Sequence, residues 1–516
     1  MKRVLLLTAI IFSMATAAFA GDKPSYNIKI RIKGLKDTLA YLAHYMGDNT
    51  YLADSARMDS KGWVTFKRDT TLECGIYMIA VNRVKLFEFV VSETDFTLET
   101  DTANYMMSMK VKGSRENEIF FEFNQYTYKI GMEEEELKKR AKEWLNDPTK
   151  RDTVTKINDR IKGIPREVYA YRTDFIKRYP NAVLTQLFLA MTEPDVPDAP
   201  IGADSNWQYY YYRDHYWDNV NFTSGCVLRT PVYQGKLNRF LEKVTVQHPD
   251  SLYAAAVSVI ERARPNKEGF RFTLVHIMNK YQNSQYICMD GVAIRLAAKY
   301  YNFNDCYWLD STEIIRTRSN AESYLPSLCF MPAPELEMFD STLQRKINKI
   351  VDRDTNEEVR GRNLGILLSK EKTTNLYDVK ADYTVLVFWD PDCGHCKKEM
   401  PIIKGFYDTV KARGVEVYAV GVEQDMDKWA QYIRDNQLKW INVTDVWNIS
   451  QFRKYYNLTS TPQIFLLDKN KMIMAKRLGA EQLKEVLYNE LKLPYTAPPK
   501  KDGEKDGHSP DDGHGH

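Results

Sequence analysis

The sequence predicts a multidomain chain: a C-terminal α/β domain, preceded by a small antiparallel β-sandwich or barrel and a mostly α-helical region. Three observations predict it. Apolar residues alternate with polar ones from Tyr26 to about Asp101. They recur at helical spacing from about Ser114 to about Ser327. From about Met331 short buried-strand runs alternate with helical segments, the signature of an α/β layer set. At 516 residues the chain is too long for one ordinary domain of about 150 residues.

The first 20 residues read as a secretory signal. Lys2 and Arg3 form a basic start, Val4 to Phe12 an apolar run, and Ala18-Phe19-Ala20 a small-residue cleavage site. Cleavage would leave Gly21 first, with no cysteine there to carry a lipid. The apolar run is shorter than the ~20 residues a span needs, and no later run reaches that length. The expected location is a bacterial periplasm, with no membrane span after cleavage.

Residues 21–113 form the β-rich accessory domain. Tyr26, Ile28, Ile30 and Ile32 alternate with Asn27, Lys29, Arg31 and Lys33, so one strand face is apolar. Residues 114–330 form the helical accessory domain. The stretch from Glu118 to Leu145 is one long amphipathic helix, and its charge run Glu133 to Arg140 is a solvated face. The aromatic stretch from Trp207 to Phe222 has two readings, packing between helices or a recognition surface for a peptide or glycan. Residues 331–496 form the α/β domain, its elements expected to be complete between about Met331 and Pro494 with no unit borrowed from upstream. Residues 497–516 form a Gly-, Asp-, Lys- and His-rich tail, expected to be disordered. Lysine plus arginine (72) nearly balances aspartate plus glutamate (69), which gives no basic field for nucleic acid.

Seven cysteines are spread along the chain, and only Cys393 and Cys396 are close in sequence. Cys74, Cys226, Cys288, Cys306 and Cys329 are odd in number, so they cannot all pair within one chain, and small buried hydrophobes is the reading that suits most of them. The close pair lies in "FWDPDCGHCKKEMP", behind the apolar run "YTVLVFW" and ahead of a helical segment. A structural zinc site needs about four ligands, and no second Cys-x-x-Cys or His-x₃-His pair exists; His508, His514 and His516 lie in the tail. No metal is therefore expected. A redox couple fits the position, because the amides and dipole at a helix N-terminus stabilise a thiolate at Cys393. Cys396, one turn on, can close a disulfide with it.

"VLVFWDPDCGHCKKEMP", the later "STPQIFLLD" and the segment between them resemble a thioredoxin fold of the TlpA/ResA type. The regions ahead of it resemble the accessory domains of exported Bacteroidetes proteins. The resemblance implies a thiol–disulfide oxidoreductase with no metal or organic cofactor. Its partners would be disulfide-containing envelope proteins and a membrane thiol electron donor. It implies Cys393 as the nucleophile, Cys396 as the resolving cysteine, and a cis bond at Thr461-Pro462 where substrate backbone can pair. Glu399, on the helix face of Cys396, matches the carboxylate of ResA-like proteins. His395, Asp392 and Trp389 complete the redox-tuning and substrate-binding set. Two positions depart from thioredoxin itself: Val387 stands where it has a buried aspartate, and Asp392 where it has tryptophan. Asp392 should raise the Cys393 pKa, while a protonated His395 should lower it. The direction of exchange stays open, between a reductase and an oxidase or isomerase. The reference couples run from roughly −270 mV for thioredoxin to −180 mV for disulfide isomerase. Also open is an envelope peptide- or glycan-binding protein in which redox activity is secondary.

Overall fold

The computed structural model describes residues 26–495, which form two compact units. The secretory signal and the tail expected at residues 1–20 and 497–516 lie outside the described residues. The first unit takes the residues through Gln247 and Ser258–Thr273; the second takes the rest.

The first unit opens with eight strands: β1 (Tyr26–Lys33), β2 (Leu39–Met46), β3 (Asn49–Arg57), β4 (Trp63–Arg68), β5 (Gly75–Val81), β6 (Val84–Val91), β7 (Asp95–Asp101) and β8 (Lys110–Lys112). They form two four-stranded sheets, ordered β4-β1-β7-β8 and β3-β2-β5-β6. The alternation in β1 is realised: Tyr26, Ile28, Ile30 and Ile32 are buried. One feature departs from an all-antiparallel reading, because β1 and β7 pair in parallel. Parallel neighbours need a long crossover, here supplied by the intervening strands β2 to β6. Alternation alone carries no information about strand direction.

Helices α1 (Arg115–Glu143), α2 (Arg151–Arg178), α3 (Val183–Met191), α4 (Trp207–His215) and α5 (Pro231–Arg239) follow. Ser114 caps α1 by accepting from the Asn117 amide. The charge run behaves as a solvated face, with Glu133 bridged to Arg160 and Glu134 to Lys138. The aromatic stretch divides: Tyr216 and Trp217 are buried, whereas Tyr210 of α4 is exposed. Cys74 and Cys226 form a disulfide within this unit.

The division between units falls within α6 (Pro249–Ala263) and α7 (Lys267–Gln282). The second unit continues with α8 (Asp290–Tyr300), α9 (Ser311–Tyr324), β9 (Glu337–Met338), α10 (Ser341–Arg353), α11 (Glu357–Leu368) and β10 (Thr374–Asn375). Then come β11 (Tyr383–Trp389), α12 (Gly394–Lys411), β12 (Val415–Gly421), α13 (Met426–Asp435), β13 (Ile441–Thr444), α14 (Phe452–Tyr455), β14 (Gln463–Asp468), β15 (Ile473–Lys476) and α15 (Ala480–Glu490).

Its sheet is mixed, in the order β13-β12-β11-β14-β15. β11 runs parallel to β12 and antiparallel to β14, so it is central and buried on both faces. That burial is why its sequence is a continuous apolar run. Val385, Val387 and Trp389 pack with residues of α12 and α15, while Leu386 and Phe388 pack in a separate cluster on the other face. Each such fully buried aliphatic side chain stabilises by about 1.5–3 kcal/mol. Gly421 ends β12 where a Cβ would stand 2.1 Å from the Trp429 indole nitrogen. A larger residue there would push α13 off the sheet.

The sheet edge draws on residues at and just ahead of Met331. The Phe330 amide donates to the Ile473 carbonyl at 2.7 Å, Ile473 donates back to Met331 at 2.9 Å, and Ala333 donates to Lys471 at 2.8 Å. The segment from Phe330 to Ala333 thus pairs with the edge strand β15 and the turn before it. Cys288 and Cys329 form a disulfide in the apolar cluster below it. Four of the five scattered cysteines are therefore disulfide-bonded, and Cys306 is a buried thiol. These pairs span 152 and 41 residues, a range over which sequence spacing says nothing about proximity.

Candidate active site

The site is built by the turn from β11 into α12. The Trp389 carbonyl accepts from the Val422 amide at 3.0 Å, tying the strand end to the loop after β12. The Asp390 carboxylate accepts from the Asp392 amide at 2.7 Å, and the Asp390 carbonyl from the Cys393 amide at 3.2 Å. This tight turn sets Cys393 at the N-cap of α12, with extended backbone (φ −72°, ψ 123°). Cys396 then falls one turn into the helix.

The two thiols are in unlike surroundings. Cys393 is half-buried, and its Sγ donates to the Thr461 carbonyl at 3.2 Å. Cys396 is 1% exposed, and its Sγ accepts from the Asp390 amide at 3.4 Å. Partial burial pushes the Cys393 thiol upward. Hydrogen bonding from the Thr461 side chain and to Cys396, together with the backbone amides of Cys396 and His395, outweighs that effect and leaves it below the ordinary cysteine value. Burial pushes the Cys396 thiol up to about 12, and the charge of a neighbouring Cys393 thiolate adds to the rise.

The Thr461–Pro462 peptide is cis, as the resemblance implied, and its loop leads into β14. His395 is exposed. Its contribution to the thiolate comes from its backbone amide. Asp392 is exposed and paired. Its carboxylate lies 2.9 Å from the Lys428 ammonium and 4.0 Å from that of Lys397, and Lys428 chiefly holds it below the usual carboxylate range. The sequence reading of Asp392 and His395 missed this third residue, which pairs with the Asp392 carboxylate. Lys428 lies 36 positions from Asp392 and left no local signal.

Trp389 is fully buried in the same cluster as Cys396, with its ring 5.2 Å from that of Tyr432. A substrate cannot touch it; it can act on the pair only through packing. Val387 is fully buried at the centre of the sheet, paired with Ala419 and Ile464. No carboxylate therefore stands at the position where thioredoxin has its buried aspartate. Glu399 is half-buried, and its Oε2 accepts the amide of Ala480 at the start of α15. It secures one of that helix's unpaired N-terminal donors and so joins the helix that carries the cysteines to the last helix. Among the described residues no cluster of His, Cys, Asp and Glu is arranged to hold a metal ion.

A Thioredoxin-like family model matches residues 381–473. The sporulation thiol-disulfide oxidoreductase A of Bacillus subtilis is 33% identical over 112 residues, covering 20% of this chain and 67% of that protein. The thiol-disulfide oxidoreductase ResA of Bacillus thuringiensis is 31% identical over 121 residues, covering 23% of this chain and 68% of that protein. The chain belongs to the TlpA/ResA-like thiol-disulfide oxidoreductases. Among solved structures, a domain of a possible thiol-disulfide isomerase from Cytophaga hutchinsonii is 34% identical, with 33% of this chain and 96% of that one covered and a TM-score of 0.26. A thioredoxin-like protein from Bacteroides caccae is 18% identical, covering 58% of this chain and 99% of that one, with a TM-score of 0.37. Ahead of the oxidoreductase domain, residues 26–120 and 119–326 match two domains of unknown function, DUF4369 and DUF5106. Among the described residues no helix is long and apolar enough to cross a membrane.

Proposed function

We propose that this oxidoreductase works through Cys393 and Cys396 as an exported reductase of disulfide-containing envelope proteins. The observation that carries the reading is the contrast between the two sulfurs: one accessible and acidified at a helix mouth, the other buried with its thiol pushed up to about 12. The Cys393 thiolate attacks one sulfur of a substrate disulfide. That bond breaks, its electron pair leaves on the second substrate sulfur, and this sulfur takes a proton. A mixed disulfide now neutralises Cys393, so its charge no longer raises the Cys396 thiol. Cys396 loses its proton and attacks Cys393 Sγ, the substrate leaves with both sulfurs reduced, and Cys393–Cys396 is oxidised. Glu399 supports this second step. A membrane thiol donor returns two electrons and two protons.

Stabilising the Cys393 thiolate stabilises the reduced pair and by itself moves the couple toward the oxidising end of the range, so the reducing direction is proposed on the resemblance to the ResA-like proteins. The disulfides Cys74–Cys226 and Cys288–Cys329 support an oxidising compartment, in keeping with the N-terminal secretory pattern.

The test is capture. Cys396→Ala in the full chain should accumulate mixed disulfides with envelope proteins through Cys393, and the reduced wild type should be alkylated first at Cys393. Labelling of Cys396 first, with no captured partner, would overturn the assignment. A measured potential near that of disulfide isomerase, roughly −180 mV, would replace the reductase by an oxidase or isomerase.

A further inference from the structure

Resting on the proposed role of Cys393, we propose that Lys428 is a positioning residue for thiol–disulfide exchange: by pairing with the Asp392 carboxylate it offsets the anion carried by the residue next to the attacking cysteine. Asp392 immediately precedes Cys393 in the chain. An unpaired carboxylate there would oppose ionisation of the thiol. Lys428 Nζ lies 2.9 Å from Asp392 Oδ2, and Lys397 Nζ approaches the other oxygen at 4.0 Å. The carboxylate is bracketed by one cation from α12 and one from α13.

The placement of Lys428 is a second, independent observation. The Asp425 carboxylate accepts from the amides of Asp427 at 2.9 Å and Lys428 at 3.2 Å, which fixes Lys428 in the first turn of α13. A cation is unfavourable at that end of a helix. Asp392 is the chief partner that compensates it, with Glu423 and Asp425 adding to the effect. The turn carrying Cys393 and the start of α12 add the charged and titratable groups Asp390, His395, Cys396 and Lys398. Glu423 and Asp425, ahead of α13, act on Lys428. The loop opposite brings Thr461 and Pro462, which carry no charge.

The test reads the pH midpoint of Cys393 alkylation in the full chain, resolved by peptide mass spectrometry. Lys428→Met should raise the midpoint by about half a pH unit, the order of size expected of one nearby exposed charge in a watery dielectric. Lys428→Arg should restore it, and high salt should shrink the difference. The double variant Asp392→Asn/Lys428→Met should return close to wild type. An unchanged midpoint in Lys428→Met would overturn the proposal. So would a double variant that stays displaced, since Lys428 would then act without Asp392. Both outcomes leave Cys393 labelled first, whereas preferential labelling of Cys396 sinks the underlying assignment instead.

Discussion

The two faces of the second unit's sheet each hold a pair of cysteines, and the pairs are opposites. On one face Cys396 packs against Val387, Trp389 and Met400, with Cys393 at the rim of the same cluster. On the other, the Cys288–Cys329 disulfide lies among Leu336, Phe388 and Phe465. The first pair is three residues apart and opens a helix, where amides and Thr461 acidify one sulfur. The second joins distant segments, and its cysteines are only 7% and 4% exposed. A sulfur pair becomes chemistry when a helix N-terminus and an accessible rim meet it. It becomes architecture when neither does.

The largest expected effect breaks the first pair. Cys393→Ala should abolish exchange on any disulfide, because no second nucleophile stands at the rim, while the melting temperature stays within a few degrees. Exchange assays with a small aromatic disulfide and a thermal melt check both. Residual turnover above the uncatalysed rate would show that Cys396 can reach substrate unaided.

Removing the second pair should do the reverse. The disulfide closes a segment of 41 residues, which in the loop-entropy treatment stabilises by about 4 kcal/mol. Cys288→Ser/Cys329→Ser should therefore lower stability by roughly 2–4 kcal/mol and leave exchange per folded molecule unchanged. Denaturant unfolding followed by exchange at low denaturant separates the two quantities. Loss of exchange in the folded variant would erase the distinction between the faces.

Truncation sharpens the same comparison. A fragment from residue 284 to 495 keeps the strap along β15 and the Asp290 carboxylate, which lies 3.0 Å from the buried Lys476 ammonium. A fragment from 331 keeps the Met331 and Ala333 bonds to β15 but loses Phe330, the Cys288–Cys329 disulfide and the Asp290 carboxylate. An unpartnered buried cation costs on the order of 3 kcal/mol. The longer fragment should be soluble and active on a small disulfide, and the shorter one less stable by several kcal/mol. Equal stability of the two would reduce the strap to a passive linker.

What was legible in the sequence follows from range. The central strand β11 was readable because burial on both faces forces a continuous apolar run, and the helix after it because Cys393 and Cys396 share one turn. Pro462 was readable only through resemblance. Strand β13 was not singled out: it has four residues, Ile441–Thr444, two of them only partly buried. The disulfides, the parallel pairing of β1 with β7 and the Asp392–Lys428 bridge join residues too far apart for any local period to register.

The smallest effect concerns Glu399, the point where the reactive face touches the architecture of its own layer. Its carboxylate has one observed role and one proposed role, which substitution can separate. It accepts the Ala480 amide, which secures the start of α15. It also lies one turn beyond Cys396, where a carboxylate can assist loss of the thiol proton once Cys393 is tied up in a mixed disulfide. Glutamine retains an oxygen that accepts from Ala480, so Glu399→Gln should cost no more than about 1 kcal/mol of stability. It loses the negative charge, so resolution of a preformed mixed disulfide should slow several-fold, with the deficit shrinking as pH rises and hydroxide takes over the deprotonation. Alanine loses both roles and should slow resolution while also lowering the melting temperature. Stopped-flow resolution across pH, set beside unfolding curves for the three proteins, reads the two roles on separate axes. If glutamine resolves at the wild-type rate while alanine is destabilised, Glu399 belongs to the packing of α15 alone, and Cys396 is deprotonated without it.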